Sequence, residues 1–300
     1  MMRLGIDLGG TKIEIVALDE VGQVLLRRRC ATPADDYRKI LDVIANLVVD
    51  AELELQQPGS VGVGTPGALS RATGLLKNSN TACLNGQPLL RDLEQTLDRP
   101  VRLANDANCF ALSEAVDGAG VRGEVVFGVI IGTGTGAGVV VNKKILTGPN
   151  AIAGEWGHNP LPWPQPEEWP GPQCYCGSSG CIETFLSGPG LQRSHLQISG
   201  TQLSTREIVA GAGAGEPDCQ RSLETYCDRM ARALAHVINI LDPDVIVLGG
   251  GMSNISSLYT EIPGRWGQYV FSDRVDTCLC PPQYGDSGGV RGAAWLWADT

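Results

Sequence analysis

The chain has 300 residues, 43% of them hydrophobic, and sets 23 Lys and Arg against 33 Asp and Glu for a formal charge of −10. That length favours two domains, each burying its own core, and the acidic balance excludes a basic face that tracks nucleic-acid phosphates. No apolar run approaches the roughly 20 residues that span a bilayer; the chain opens on a strand pattern instead of a charged-then-apolar leader, so the expected location is cytoplasmic.

Residues 3–8 predict a strand ending in Gly9-Gly10, followed by strands over 12–18 and 23–29 in an antiparallel meander. Tyr37, Ile40, Leu41, Ile44, Leu47, Val48, Ala51 and Leu55 recur at helical spacing over 36–56. Short buried strands are expected at 60–64 and 101–104, and a helix over 106–116. The plan then restarts. A strand over 124–131 ends in Gly132-Thr133-Gly134-Thr135-Gly136, 137–141 returns antiparallel, and 143–146 continues the meander. The repeated pattern predicts two similar α/β lobes with a ligand cleft between them. Residues 159–173 hold six prolines and predict a stiff loop; 222–241 read as an amphipathic helix, 244–248 as a buried strand, and 290–298 as a closing helix. The expected division is 1–115 and 116–289, with the closing helix (about 290–300) packed back on the first lobe.

Four features carry chemistry. His158 precedes Cys174-Tyr-Cys176-Gly-Ser-Ser-Gly-Cys181, and three thiolates with one imidazole make a closed ligand set for a structural Zn²⁺. Glu155 and Glu183 bracket that set, so the metal reads as scaffolding for a pocket. Asp7-x-Gly9-Gly10-Thr11-Lys12 and Gly132-Thr133-Gly134 place small residues at turns where backbone N–H groups can cradle a phosphate, although a glycine hairpin also occurs with no ligand. Asp7 suits a hydrated Mg²⁺. Asn105-Asp106 lies where a strand gives way to a helix; Asp106 reads either as a plain N-cap or as a general base at a cleft mouth. Gly249-Gly250-Gly251 is equally a tight turn or a platform for a flat group such as adenine. The other cysteines read as reduced thiols, and Cys278-x-Cys280 has no assigned role.

With these residues laid out, the chain resembles the ROK family (repressors, open reading frames and kinases) along essentially its whole length. The resemblance rests on the Asp7–Lys12 motif, Gly64-Thr65-Pro66-Gly67, Asn105-Asp106-Ala107-Asn108, Gly132-Thr133-Gly134, Glu155-x-x-His158, the Cys-x-Cys-Gly-x-x-Gly-Cys-x-Glu signature and the triple glycine. It implies a two-lobed, actin-like ATPase (ribonuclease H-like) fold with a structural zinc site, acting on ATP with Mg²⁺ and a hexose. Carried over, Asp106 is the catalytic base. Gly67, Asn105, Asp106, Glu155, His158 and Glu183 contact the hexose. Asp7, Gly9, Gly10, Thr11, Lys12, Gly132, Thr133, Gly134, Gly249, Gly250 and Gly251 serve ATP and its phosphates, while His158, Cys174, Cys176 and Cys181 hold zinc. The family implies a homodimer. Family repressors carry a helix-turn-helix ahead of this region; Asp7 stands too near the start for one here, so an enzyme is expected rather than a DNA-binding sugar sensor. The stretches around Asn105 and Gly154–Trp163 look most like bacterial fructokinases of the manno(fructo)kinase type, implying fructose as acceptor, with N-acetylglucosamine or glucose as the alternative. Trp156 and the long 159–173 loop depart from the commoner pattern and are expected to border the pocket.

Overall fold

The computed structural model describes residues 1–298, so the last two positions of the expected closing helix lie outside the described residues. The chain divides into two compact units. One comprises Met1–Arg122, Gly138–Ala153 and the described residues from Gln283 onward; the other comprises Gly123–Ala137 and Gly154–Pro282.

Through residue 122 the elements are β1 (Met2–Leu8), β2 (Lys12–Leu18), β3 (Val24–Ala31), α1 (Tyr37–Leu55), β4 (Gly59–Thr65), a small hairpin of β5 (Ala68–Leu69) and β6 (Leu76–Lys77), α2 (Leu89–Leu97), β7 (Val101–Asn105) and α3 (Asp106–Val116). The first sheet runs β3-β2-β1-β4-β7. Its β1–β2 and β2–β3 pairs are antiparallel, whereas β4 lies parallel to both β1 and β7. Alternation explains β1: Met2, Leu4, Ile6 and Leu8 are buried in the apolar core with Ile13, Ile15, Val61 and Val63. Helix α1 covers that core with Ile40, Leu41, Ile44, Val48 and Ala51; the Asp36 side chain caps its start by accepting from the Lys39 amide at 3.1 Å.

From residue 123 come β8 (Val125–Ile131), β9 (Thr135–Val141), β10 (Lys144–Ile145), α4 (Ile182–Leu186), α5 (Gly188–Ser199), α6 (Thr205–Gly213), α7 (Pro217–Leu241), β11 (Val245–Gly249), α8 (Leu258–Glu261), α9 (Pro263–Trp266), β12 (Cys278–Cys280) and α10 (Gly288–Trp295). The second sheet, β10-β9-β8-β11-β12, repeats the order of the first, and the division between the units falls within β9. The repeated meander in the sequence is therefore a repeated sheet. Cys278 and Cys280 sit on the edge strand, with Val245 opposite Cys278 and Val247 opposite Cys280, which gives Cys278-x-Cys280 a place in the sheet. Helix α7 starts five residues before the periodicity suggests, because Pro217 occupies its first position, where a missing N–H costs nothing. No helix among the described residues is long and apolar enough to cross a membrane.

Helix α10 rests on β1, β4 and α3 at backbone distance. A Cβ on Gly62 would stand 1.9 Å from the Ala293 carbonyl oxygen, and one on Gly292 only 1.6 Å from that of Cys109. Backbone cannot yield as a side-chain tip can. Gly62→Ala is expected to destabilise the protein by about 3 kcal/mol, the upper end of overpacking costs, read as a lower denaturant midpoint at unchanged m.

Candidate active site

In the first unit the chemistry gathers where β1 and β7 end. Asp7, the penultimate residue of β1, pairs in register with Glu14 of β2, which pairs in turn with Arg29 of β3. Glu14 is 1% exposed and receives Nε bonds from Arg27 at 2.5 Å and Arg29 at 2.8 Å. Burial opposes its charge, yet the two guanidiniums hold its carboxyl below the usual range. Asp7 is held differently. Burial first, then the Asp106 carboxylate, then Glu14 push it up to about 6, against the opposing pull of Lys12 and Arg29. A Cβ on Gly289, in the first turn of α10, would stand 3.8 Å from the Asp7 carboxyl, so the chain's last helix packs over this side chain. Glu14 is a member of the site that sequence reasoning missed. The signal was an acid at an inward position of an otherwise apolar strand.

Asp106 opens α3 immediately after β7. The N-cap is Asn105, not Asp106: its Oδ1 accepts the Ala107 amide at 2.9 Å and the Asn108 amide at 3.3 Å. The capping explanation for Asp106 therefore falls away, although its Oδ1 also accepts the Ala107 amide at 2.8 Å. Asp106 is half-buried at the positive end of α3 and interacts with Asp7. Asn105 does double duty, its Nδ2 donating to the Gly67 carbonyl at 3.2 Å. Gly67 has φ +83°, and a Cβ there would meet the Lys77 oxygen at 2.4 Å, so only glycine allows this turn. The structure thus brings Gly67, Asn105 and Asp106 together. Beneath them the buried Cys109 thiol is raised well above its usual range by burial, then by Asp7 and Asp106, and stays protonated. The Gly9–Lys12 turn closes the β1–β2 hairpin through Gly9 N donating to Lys12 O at 3.0 Å, and leaves Gly10 and Thr11 exposed.

In the second unit, His158, Cys174, Cys176 and Cys181 converge, with their ligand atoms all within 4.8 Å of one another. The Cys176–Cys181 Sγ separation is 3.6 Å, and so is that from Cys174 Sγ to His158 Nδ1. A tetrahedral zinc with ordinary bond lengths gives edges of about 3.8 Å between sulfurs and about 3.6 Å from sulfur to nitrogen. The donor set fits such an ion. The outer ring nitrogen, His158 Nε2, is bonded to Tyr175 Oη at 2.9 Å, an arrangement that fixes the ring's orientation.

Helix α4 begins directly after Cys181 and carries Glu183, whose Oε2 accepts the Thr135 amide at 2.9 Å and lies 2.7 Å from where a Gly134 Cβ would be. Gly188 N, at the head of α5, donates to the Gly132 carbonyl at 2.8 Å. The cysteine module is thereby tied to the Gly132–Gly134 turn, a link the sequence did not suggest. Gly249 ends β11, and Gly250 packs on β8, a Cβ there standing 2.4 Å from the Ile131 oxygen. Glu155 is exposed and His158 half-buried. Trp156 departs from expectation: it is 5% exposed, edge-on to Phe127 at 5.9 Å, with its indole N–H donating to the Ala233 carbonyl. It belongs to the core of its unit instead of bordering a pocket, because a flat apolar ring gains more from burial against β8 and α7 than from the surface.

Comparison with known proteins follows the same lines. The ROK family model matches residues 3–300. The chain is 39% identical over 299 residues to N-acetyl-D-glucosamine kinase of Yersinia pseudotuberculosis serotype O:3, covering 98% of each chain. It is equally similar, at 39%, to N-acetyl-D-glucosamine kinase of Escherichia coli O139:H28, covering 98% of this chain and 99% of that one. Among solved structures it is similar to a ROK hexokinase from Thermus thermophilus (TM-score 0.87, 32% identity, 98% and 97% covered). A ROK glucokinase from Streptomyces griseus in complex with glucose and AMPPNP also aligns, at TM-score 0.77 and 27% identity with 99% of both chains covered. The chain belongs to the ROK family and has that family's two-sheet, actin-like sugar-kinase fold.

Proposed function

We propose that this chain transfers the γ-phosphoryl group of ATP to the primary hydroxyl of N-acetylglucosamine. The observation that carries the reaction class is Asp106 at the start of α3, interacting with Asp7 across the ends of β7 and β1. Asp106 accepts the hydroxyl proton as the sugar oxygen attacks phosphorus, while Asn105 and the Gly67 backbone orient the acceptor. Alignment and charge neutralisation supply most of the catalysis in such transfers. Asp7 faces the nucleotide, with the turns at Gly9–Lys12 and Gly132–Gly134 offering N–H groups to its phosphates. A Mg²⁺ bound there supplies charge neutralisation for those phosphates. Glu155, His158 and Glu183 bind the hexose, and His158 with the three cysteines holds a structural zinc.

The acceptor is read from the 39% likeness to N-acetyl-D-glucosamine kinases over nearly the full chain. The sequence around Gly154–Trp163 favours fructose, but its two tryptophans say little about a hexose: Trp156 is in the core and Trp163 stacks on Tyr269 at 5.3 Å. A coupled assay of ADP release over N-acetylglucosamine, glucose, mannose and fructose tests the reading. N-acetylglucosamine is expected to give the highest kcat/KM. A higher value with fructose removes the acceptor assignment and keeps the kinase; ADP release no faster than with water alone removes both.

A further inference from the structure

The loop between His158 and Cys174 has an anchor of its own, apart from the cysteine cluster. Glu168, in the short turn Pro166–Glu168, is 5% exposed, and two arginines from α7 close on it. Arg229 Nε donates to Oε1 at 2.7 Å; Arg232 donates from Nη2 to Oε1 and from Nη1 to Oε2, both at 2.8 Å. Arg232 is fully buried. Its Nη1 also reaches the carbonyls of Pro162 at 3.2 Å and Trp163 at 2.8 Å, and its Nε reaches Asp228 at 3.0 Å. Arg229 turns the other way: Nη1 donates to Ser194 Oγ at 2.9 Å, and the guanidinium lies over the Phe185 ring, 5.0 Å from its centre. Phe185 is two residues beyond Glu183 on α4.

Two buried cations around one buried anion are a poor source of net stability, since apolar residues of similar volume do as well or better. What directional, charge-assisted bonds add is register. The two arms of the loop are tied to the cysteine module by backbone bonds, Leu161 N donating to Gly180 O at 3.0 Å and Gly180 N to Pro172 O at 2.9 Å; the bonds at Pro162, Trp163 and Glu168 fix the stretch between them. Six prolines leave the segment few alternatives, so one clamp on its middle fixes the course between the tied arms.

We propose that Glu168, gripped by Arg229 and Arg232, is a positioning residue for the acceptor-binding groups: Arg232 sets the loop that ends at His158, and Arg229 sets the helix that carries Glu183. The inference rests on the reading that His158 and Glu183 contact the sugar.

Two variants test it. Glu168→Gln preserves shape and removes the charge; the triple change Glu168→Leu, Arg229→Leu, Arg232→Met removes every charge of the triad and guards against unfolding from unpaired guanidiniums. In each, KM for the acceptor is expected to rise roughly tenfold or more, as for a displacement of about an ångström, with KM for ATP within about twofold and bound metal per chain unchanged. The amide hydrogens of Trp163, Gln165, Glu167, Glu168 and Trp169, the prolines between them having none, should exchange faster than in the parent, and those of 174–181 should not. An unchanged acceptor KM in a folded variant overturns the proposal, and so do an equal rise in both KM values, unaltered loop exchange, or failure of both variants to fold. The parent enzyme's acceptor panel separates this from the functional reading: a parent that phosphorylates no hexose defeats that reading and this role with it, whereas an active parent whose variants keep their acceptor KM defeats this role alone.

Discussion

Asp106→Asn is expected to lower kcat by about 10²–10⁴ while changing acceptor KM only a few-fold, the usual signature of a lost general base. The amide keeps the volume of the carboxylate and can still accept the Ala107 N–H, so α3 and its Asn105 cap should be undisturbed. What it cannot do is take the proton. A second consequence follows from the neighbouring Asp7, whose carboxyl is pushed up to about 6 by burial first and by Asp106 next. Removing the Asp106 charge removes a cause that raises it, so Asp7 should ionise at lower pH. If Asp7 must be charged to serve the nucleotide, the acidic limb of kcat/KM for MgATP lies near pH 6 in the parent and moves downward in the variant. A near-normal kcat would refute the assigned base; an acidic limb that stays in place would refute the coupling to Asp7.

Loss of the proposed zinc should have the next largest effect. Chelation, or Cys181→Ser, is expected to weaken acceptor binding about 10–100-fold in calorimetric titrations, with ATP affinity nearly kept. Cys181 sits at the junction of everything this module positions. Its Sγ lies 3.5 Å from the His158 carbonyl oxygen and 3.6 Å from Cys176 Sγ, and α4 with Glu183 starts at the next residue. Backbone bonds such as Cys174 N to Ser178 O at 2.8 Å shape the turn, but only a cation would draw the three sulfurs and the imidazole into one set of bonds. An acceptor affinity that survives verified metal removal would contradict the assignment.

Much of this was legible locally. The four candidate ligands stand out because Cys-x-Cys-Gly-x-x-Gly-Cys is a spacing that suits both tight turns and a metal, and residues 158–181 read by themselves already isolate them. The helix over 36–56 was legible from periodicity and is bounded by Asp36 and Gln56 as caps, one residue inside the expected limits at each end. The small helices α2, α4, α5 and α6 went unrecognised: glycines interrupt α5 and α6, while α2 and α4, at 9 and 5 residues, are short enough for a helical run to pass for a strand or loop.

Composition, spacing and turn chemistry alone determined the repeated α/β plan, the cysteine–histidine quartet and the two glycine turns, because each is written in strand alternation, turn residues or one short stretch of chain. Only the folded chain decided that Glu14 lies beside Asp7, that Glu183 grips the Gly134 turn, that Glu168 is shared by two arginines, and that α10 rests on β1 and β4 through glycine. Those partners are far apart in sequence, and sheet register and close packing, which no local pattern encodes, bring them into contact.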